Sequence, residues 1–298
     1  MTAIASAPVV VGVDGSPSSL DAVELAATEA QLRRARLHIV YAFVWPAALV
    51  AARPATEGAP EPATLVRAHA DAIVAEAKTH AEKVAPEVPV TTEVADGPAA
   101  YVMLQRSRHA AVVVVGDRGL GRFEGMLAGT VATQLSTYGS SPVIVVKGAS
   151  KSEGPVIVGV DGSARSLRAL EFAADEAARR GTELVTAHVW RTPAGTGPGA
   201  IMPLVYDIDL LEADEDRKLS KIVKSLADRH PGLPIRRRLG RGSAGPVLAS
   251  WSHKAQLLVV GDRGHGGFVG LLIGSVSQHL IFHAACPVAV VRDEQQSD

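Results

Sequence analysis

Short apolar runs alternate along this chain with longer stretches whose apolar positions recur at helical spacing. Val9–Val13 is β-branched, too short for a helix and closed by Asp14-Gly15, so it predicts a strand. Ser16 then offers an N-cap and Pro17 a first helical residue, with Leu20, Val23, Ala27 and Ala30 following on one face. Leu37–Val44 predicts a second strand, Pro46–Pro62 a loop rich in Ala and Pro, and Thr64–Val84 a long helix. Strand Val88–Val94, helix Ala99–Ser107 and strand Ala111–Val115 come next. A glycine-rich stretch then leads to helix Thr130–Thr137 and a last strand, Val143–Val146.

The whole order then runs a second time from Val156, with Leu219, Ile222, Val223 and Leu226 marking the long helix. Val11-Gly12-Val13-Asp14-Gly15-Ser16 returns as Val158-Gly159-Val160-Asp161-Gly162-Ser163, an offset of 147 residues. Val114-Val115-Gly116-Asp117-Arg118-Gly119 returns as Val259-Val260-Gly261-Asp262-Arg263-Gly264, an offset of 145. The two missing residues are expected in the turn before Leu37 and Leu184. A period this long marks two copies of a complete domain rather than a solenoid. The expected division is residues 1–148, a polar linker at 149–154, and residues 155–298. Continuous apolar strands alternating with helices imply an α/β fold with a parallel sheet covered on both faces.

Composition narrows the function. At 298 residues, 47% hydrophobic and 20% charged, each half is long enough for a core. A formal net charge of -1 supplies no bulk positive field for nucleic acid or an anionic membrane. The single cysteine, Cys286, excludes an intramolecular disulfide framework and fits a reducing compartment, where it reads as a core thiol. The chain shows no basic targeting segment, and its longest apolar stretch, Ile39–Ala52, is interrupted by Pro46 and too short to span a bilayer. A cytoplasmic protein is expected. The ten histidines show no metal-ligand spacing, and no nucleophile–base–acid set recurs in both copies, so no catalytic or metal residue is assigned.

The chemistry concentrates after the fourth strand of each copy. A parallel α/β sheet binds ligands beyond the carboxyl ends of its strands. Gly116 and Gly119 let a loop backbone fold round an anion, Gly129 clears the approach to the next helix, and Thr130 (Ser275 in copy two) is placed to cap it. Phosphate is the natural occupant. A plain tight turn with a capped helix is the structural alternative, weakened because the same irregular spacing occurs twice. The loop is neither a P-loop nor a dinucleotide fingerprint, since no Gly-Lys-Ser/Thr follows and the glycines come after the fourth strand.

The spacing Gly-x2-Gly-x9-Gly-Ser/Thr, at Gly116, Gly119, Gly129-Thr130 and again at Gly261, Gly264, Gly274-Ser275, resembles the ATP-binding branch of the universal stress protein family. The Val-Gly-Val-Asp-Gly-Ser runs ending at the Asp14 and Asp161 turns and the Pro-Val before each last strand are similar to that family too. The resemblance covers nearly the whole chain, in the tandem form found in actinobacteria. It implies two Rossmann-like, adenine-nucleotide-binding domains of strand order 3-2-1-4-5. It also implies that Gly12, Asp14, Gly159 and Asp161 lie at the nucleotide, and that Val44 and Val189 meet adenine through their backbone. Gly116, Gly119, Thr130 and Val131 would hold the phosphates and ribose of one ATP, and Gly261, Gly264, Ser275 and Val276 those of another. The loop interiors, Leu120, Gly121 and Arg122 in copy one and His265, Gly266 and Gly267 in copy two, would close over the triphosphate.

Asp117 and Asp262 put a carboxylate inside the phosphate loop. Pairing with Arg118 or Arg263 is the favoured resolution, and an outward orientation or coordination of Mg²⁺ the alternatives. Arg122 has no equivalent in copy two, where Gly267 stands, so the two sites are expected to differ in affinity. Arg236-Arg237-Arg238, absent from copy one, reads first as a solvated edge and otherwise as a docking patch. Val143–Val146 and Val288–Val291 carry no charge to block edge pairing. They are expected to join the two domains within one chain, with homodimerisation through another surface left open. The leading expectation is an ATP-binding signalling or stress-adaptation module with one nucleotide per domain. The rivals are a slow ATPase or nucleotidyl transferase and a scaffold with vestigial sites.

Overall fold

A computed structural model describes residues 7–44, 62–119, 130–147, 151, 153–192, 207–264 and 273–292. The chain divides between Ser150 and Lys151 into two compact units. In the first, β1 (Val9–Val13), β2 (Leu37–Phe43), β3 (Val90–Asp96), β4 (Val112–Gly116) and β5 (Val143–Val146) are joined by α1 (Pro17–Arg33), α2 (Pro62–Val84), α3 (Ala99–Ser107) and α4 (Thr130–Tyr138). In the second, β6 (Val156–Gly159), β7 (Leu184–Trp190), β8 (Ile235–Arg241), β9 (Leu257–Gly261) and β10 (Val288–Val291) alternate with α5 (Ala164–Arg180), α6 (Ile208–Arg229), α7 (Ala244–Ser252) and α8 (Ser275–His283).

Every strand pair described within a unit is parallel, and the pairings give the order β3-β2-β1-β4-β5 and its repeat β8-β7-β6-β9-β10. The central strands are apolar throughout because helices cover both faces, and Val9, Val11, Val112, Val113 and Val114 are fully buried. Chain order reverses between β1 and β4, and between β6 and β9. The turns after β1 and β6 and the glycine loops after β4 and β9 therefore meet at one switch point in each unit.

Two expectations need correction. The two-residue difference between the copies does not fall before Leu37 and Leu184. Val9 pairs with Leu37 and Val156 with Leu184, so the offset of 147 persists through the second strands. It has become 145 only at Val90 and Ile235, which places the change after β2 and β7. The third strand also starts at Val90 rather than Val88. Pro89 has no N–H for the ladder and only accepts, at 2.9 Å, from Leu37 N.

At this outer edge of the first sheet a polar network replaces apolar packing. Glu93 accepts from Arg106 Nε (2.8 Å) and meets His38 Nε2 at 2.9 Å, while His38 Nδ1 meets Thr91 at 2.9 Å. The Arg106 hydrogen bond holds the Glu93 carboxyl down at about 2, against the opposing effect of partial burial. Its contribution to stability is thus complete above the ordinary carboxylate range and is lost as pH falls through about 2. A carbon-detected NMR titration should place the Glu93 midpoint near that value, and Arg106→Leu should return it toward an ordinary glutamate.

Each first helix also carries a fully buried glutamate with an arginine one turn on, Glu29 with Arg33 and Glu176 with Arg180, a repeated pairing that hydrophobic periodicity does not reveal. Cys286 is 1% exposed, and burial pushes its thiol up to about 12. The folded protein should therefore leave an aromatic disulfide reagent almost unreacted at pH 8, and release one thiol equivalent only on unfolding.

Candidate nucleotide site

The turn after the first strand of each copy is built the same way. Gly15 (φ 82°) and Gly162 (φ 84°) adopt the left-handed conformation that lets the chain reverse directly into a helix. Asp14 Oδ1 accepts from Ser16 N at 3.0 Å, and Asp161 Oδ1 accepts from Ser163 N at 3.0 Å and Ser163 Oγ at 2.6 Å. The serines are the N-caps, each accepting from an N–H three residues on, Ser19 or Ser166, at 3.2 Å. The aspartates thus orient the cap rather than provide it. Asp14 is half-buried and Asp161 exposed, so neither carboxylate is deeply buried.

The other carboxylate oxygen of each aspartate faces the glycine loop. A Cβ added at Gly119 would collide with Asp14 Oδ2, and one at Gly264 with Asp161 Oδ2. This close approach repeats in both copies and joins the first-strand turn to the fourth-strand loop. Gly116 and Gly261 are used differently. Their vacant Cβ positions are taken up by the first turns of α1 and α5, at Ser18 and Arg165. Gly12 and Gly159 likewise accommodate Met103 of α3 and Leu248 of α7. Part of the glycine pattern therefore serves helix–sheet packing.

Asp117 and Asp262 are 6% and 2% exposed, and both sit among cations. Asp117 Oδ2 lies 3.3 Å from Arg118 Nε, and Ser18 Oγ donates to its Oδ1 at 3.1 Å. Asp117 also acts electrostatically on Lys147, whose ammonium is pushed down chiefly by burial. Asp262 lies 3.3 Å from Arg165 Nε, 3.8 Å from Arg292 Nε and 3.9 Å from Arg263 Nε. The Arg165 approach is a charge contact without an aligned hydrogen bond. The expected partner Arg263 is thus the most distant of the three. Sequence reasoning missed Ser18, Arg165, Lys147 and Arg292, because they come from the first helix and from beyond the last strand.

At the far side of the loop, Ser275 does not cap the helix as expected. It is the first helical residue, and the N-cap is Gly274, which has no side chain to offer the free N–H groups of α8. Gly274 N donates to Asp262 O at 2.7 Å and Ser277 Oγ to Gly261 O at 2.6 Å, closing the two ends of the loop on each other. Thr130 is the first residue of α4, and Val131 and Val276 follow at half-buried positions. Leu120, Gly121, Arg122, Gly129, His265, Gly266 and Gly267 lie outside the described residues. Val44 and Val189 are not equivalent positions. Val44 is the first residue past β2, whereas Val189 lies within β7 and pairs with Gly240. The register makes Arg191 the counterpart of Val44.

The described residues fit a phosphorylated ligand. A helix start without a side-chain cap faces the loop end, the loop backbone is pressed against a carboxylate that can accept from sugar hydroxyls, and arginines stand beside it.

The universal stress protein family model matches residues 7–147 and again 154–292. The chain is 36% identical over 295 residues to a universal stress protein of Mycolicibacterium smegmatis, covering 95% of this chain and 96% of that one. It is 35% identical over 311 aligned positions to universal stress protein Rv1996 of Mycobacterium tuberculosis, covering 96% and 95%. A universal stress protein from Archaeoglobus fulgidus superposes with a TM-score of 0.68 at 17% identity, over 96% of this chain and 98% of that one, which shows a shared fold. With both halves matched by one family model and relatives aligned end to end, this chain belongs to the universal stress protein family, as two family domains in tandem.

Proposed function

We propose that each domain binds one ATP at its switch point and that the protein acts as a nucleotide-dependent stress-response or signalling module. The observation that carries this reading is the contact of Gly119 with Asp14, repeated by Gly264 with Asp161, at the place where an α/β sheet takes its ligand. The aspartates orient the ribose, and the loop N–H groups and the starts of α4 and α8 hold phosphate. The cations around Asp117 and Asp262 favour charge pairing there over coordination of Mg²⁺. Regulation follows from linkage. A nucleotide present at a hundred times its Kd stabilises its domain by about 2.7 kcal/mol.

Equilibrium dialysis with labelled ATP should give two equivalents per chain. Gly119→Ala and Gly264→Ala should each remove one, and the double variant both, with the circular dichroism spectrum unchanged. Two equivalents retained by a folded double variant would overturn the site. A multiple-turnover assay separates binding from slow hydrolysis, and the mass spectrum of nucleotide released from purified protein identifies the occupant.

A further inference from the structure

The Arg236-Arg237-Arg238 run is not a uniform solvated edge. Arg237 pairs with Asp216 (3.1 Å), and Arg236 grips Glu183 with both Nε and Nη2 at 3.0 Å. Arg238 has no acidic partner among the described residues. Its guanidinium carbon lies 3.8 Å from the centroid of the Trp251 ring. Arg236 and Arg238, but not Arg237, border a cleft of about 570 Å³ in the second domain, floored by Pro155, Ile157 and Val185 and also edged by Lys254. That volume is ordinary for a small-molecule site, about 300–1,000 Å³. The cleft lies toward the starts of the strands, away from the Asp161 turn at their carboxyl ends.

The first domain serves as an internal control. By the repeat, Val185 stands where His38 is, Arg238 where Glu93 is, Trp251 where Arg106 is, and Lys254 where His109 is. There, Glu93, Arg106 and His38 neutralise one another. In the second domain the acid has become a cation, its partner the aromatic ring beneath that cation, and the histidine an apolar floor. The exchange leaves a concave surface with uncompensated positive charge. Partial burial and the neighbouring Arg236 both work against the charged form of Arg238, and an anion at this point would relieve both.

We propose that this cleft is a second ligand site, separate from the nucleotide site, for a small organic anion with an apolar body. Its carboxylate or phosphate is met by Arg238 and Lys254, and its body rests on Pro155, Ile157 and Val185. The site belongs to the second domain alone, because the corresponding position of the first is occupied by its own ion-pair network.

Calorimetric titration of the full chain with octanoate, octyl phosphate, octyltrimethylammonium and 1-octanol tests this. At least one of the two anions should bind with one equivalent, and the tighter of them identifies the headgroup. The cationic and neutral analogues should be weaker by about tenfold or more, the loss expected on removing a charge-assisted contact. Arg238→Met, which keeps packing on Trp251, should lose about tenfold in anion affinity while ATP stoichiometry is unchanged, and the exposed Lys254→Gln a smaller factor. Absence of anion binding, equal binding of all four analogues, or full affinity in a folded Arg238→Met protein would each overturn the proposal.

Discussion

Asp262→Asn should cost the second domain about 2–4 kcal/mol, whereas Asp117→Asn should cost the first only about 1 kcal/mol. Asp262 is 2% exposed and lies within 4 Å of Arg165, Arg263 and Arg292. The asparagine keeps the shape but withdraws the negative charge that Arg165, Arg263 and Arg292 approach. Arg165 and Arg263 retain access to water, which places the loss toward the lower end of the range for a broken buried pair. Asp117 has less to lose, since its Arg118 partner is largely exposed and the Ser18 hydroxyl can bond to an amide as well.

Calorimetry should show the Asp262→Asn transition lowered by about 4–16 °C, at about 2–4 °C per kcal/mol. Saturating ATP should recover part of it, because a carboxylate no longer repels the ligand. If Asp262 were instead a metal ligand, the variant would keep its stability and lose ATP affinity only when Mg²⁺ is present. Equal losses in the two aspartate variants would show that the arginine cluster does not distinguish the domains.

The architecture was readable from the chain because its determinants are local. β-branched runs closed by Asp-Gly, Ser N-caps and a repeated order of elements each act over a few residues, and strands and helices emerged close to the expected bounds. Errors arose where a pairing partner or a missing donor decided the outcome, as at Pro89, or where strand register alone defines equivalence, as for Val44 and Arg191. The glycines were legible as a pattern but ambiguous in purpose. A spacing cannot say whether a missing Cβ leaves room for a ligand or for Met103, Leu248 or Ser18. The basic residues around Asp262 carried one signal that could have been used, since Arg292 repeats Lys147 at the offset of 145. Arg165 carried none, because serine occupies its place in the first copy.

Gly116→Ala should destabilise the first domain by about 2–3 kcal/mol, and Gly261→Ala the second by about half as much or less. A Cβ on Gly116 would lie 2.5 Å from Ser18 Oγ, 2.8 Å from Ser18 O and 3.0 Å from Ser18 C. The hydroxyl can rotate away, at the expense of its hydrogen bond to Asp117. The backbone carbonyl cannot, so the first turn of α1 has to shift against β4. At Gly261 the nearest atoms, Arg165 C and O, stand at 3.2 Å, and a few tenths of an ångström of adjustment suffices. Because α1 is tied through Ser16 to Asp14, its displacement also moves the carboxylate beside Gly119. Gly116→Ala should therefore weaken nucleotide binding as a consequence of lost packing, with the urea midpoint of the first domain falling even without nucleotide. Gly119→Ala should show the reverse ranking, with binding lost at little cost in apo stability, because its added Cβ meets only the end of a side chain. Urea melts of the three variants with and without ATP decide the matter. Equal apo stability of Gly116→Ala and Gly261→Ala would mean that the helix–strand contact at Ser18 is looser than its geometry implies.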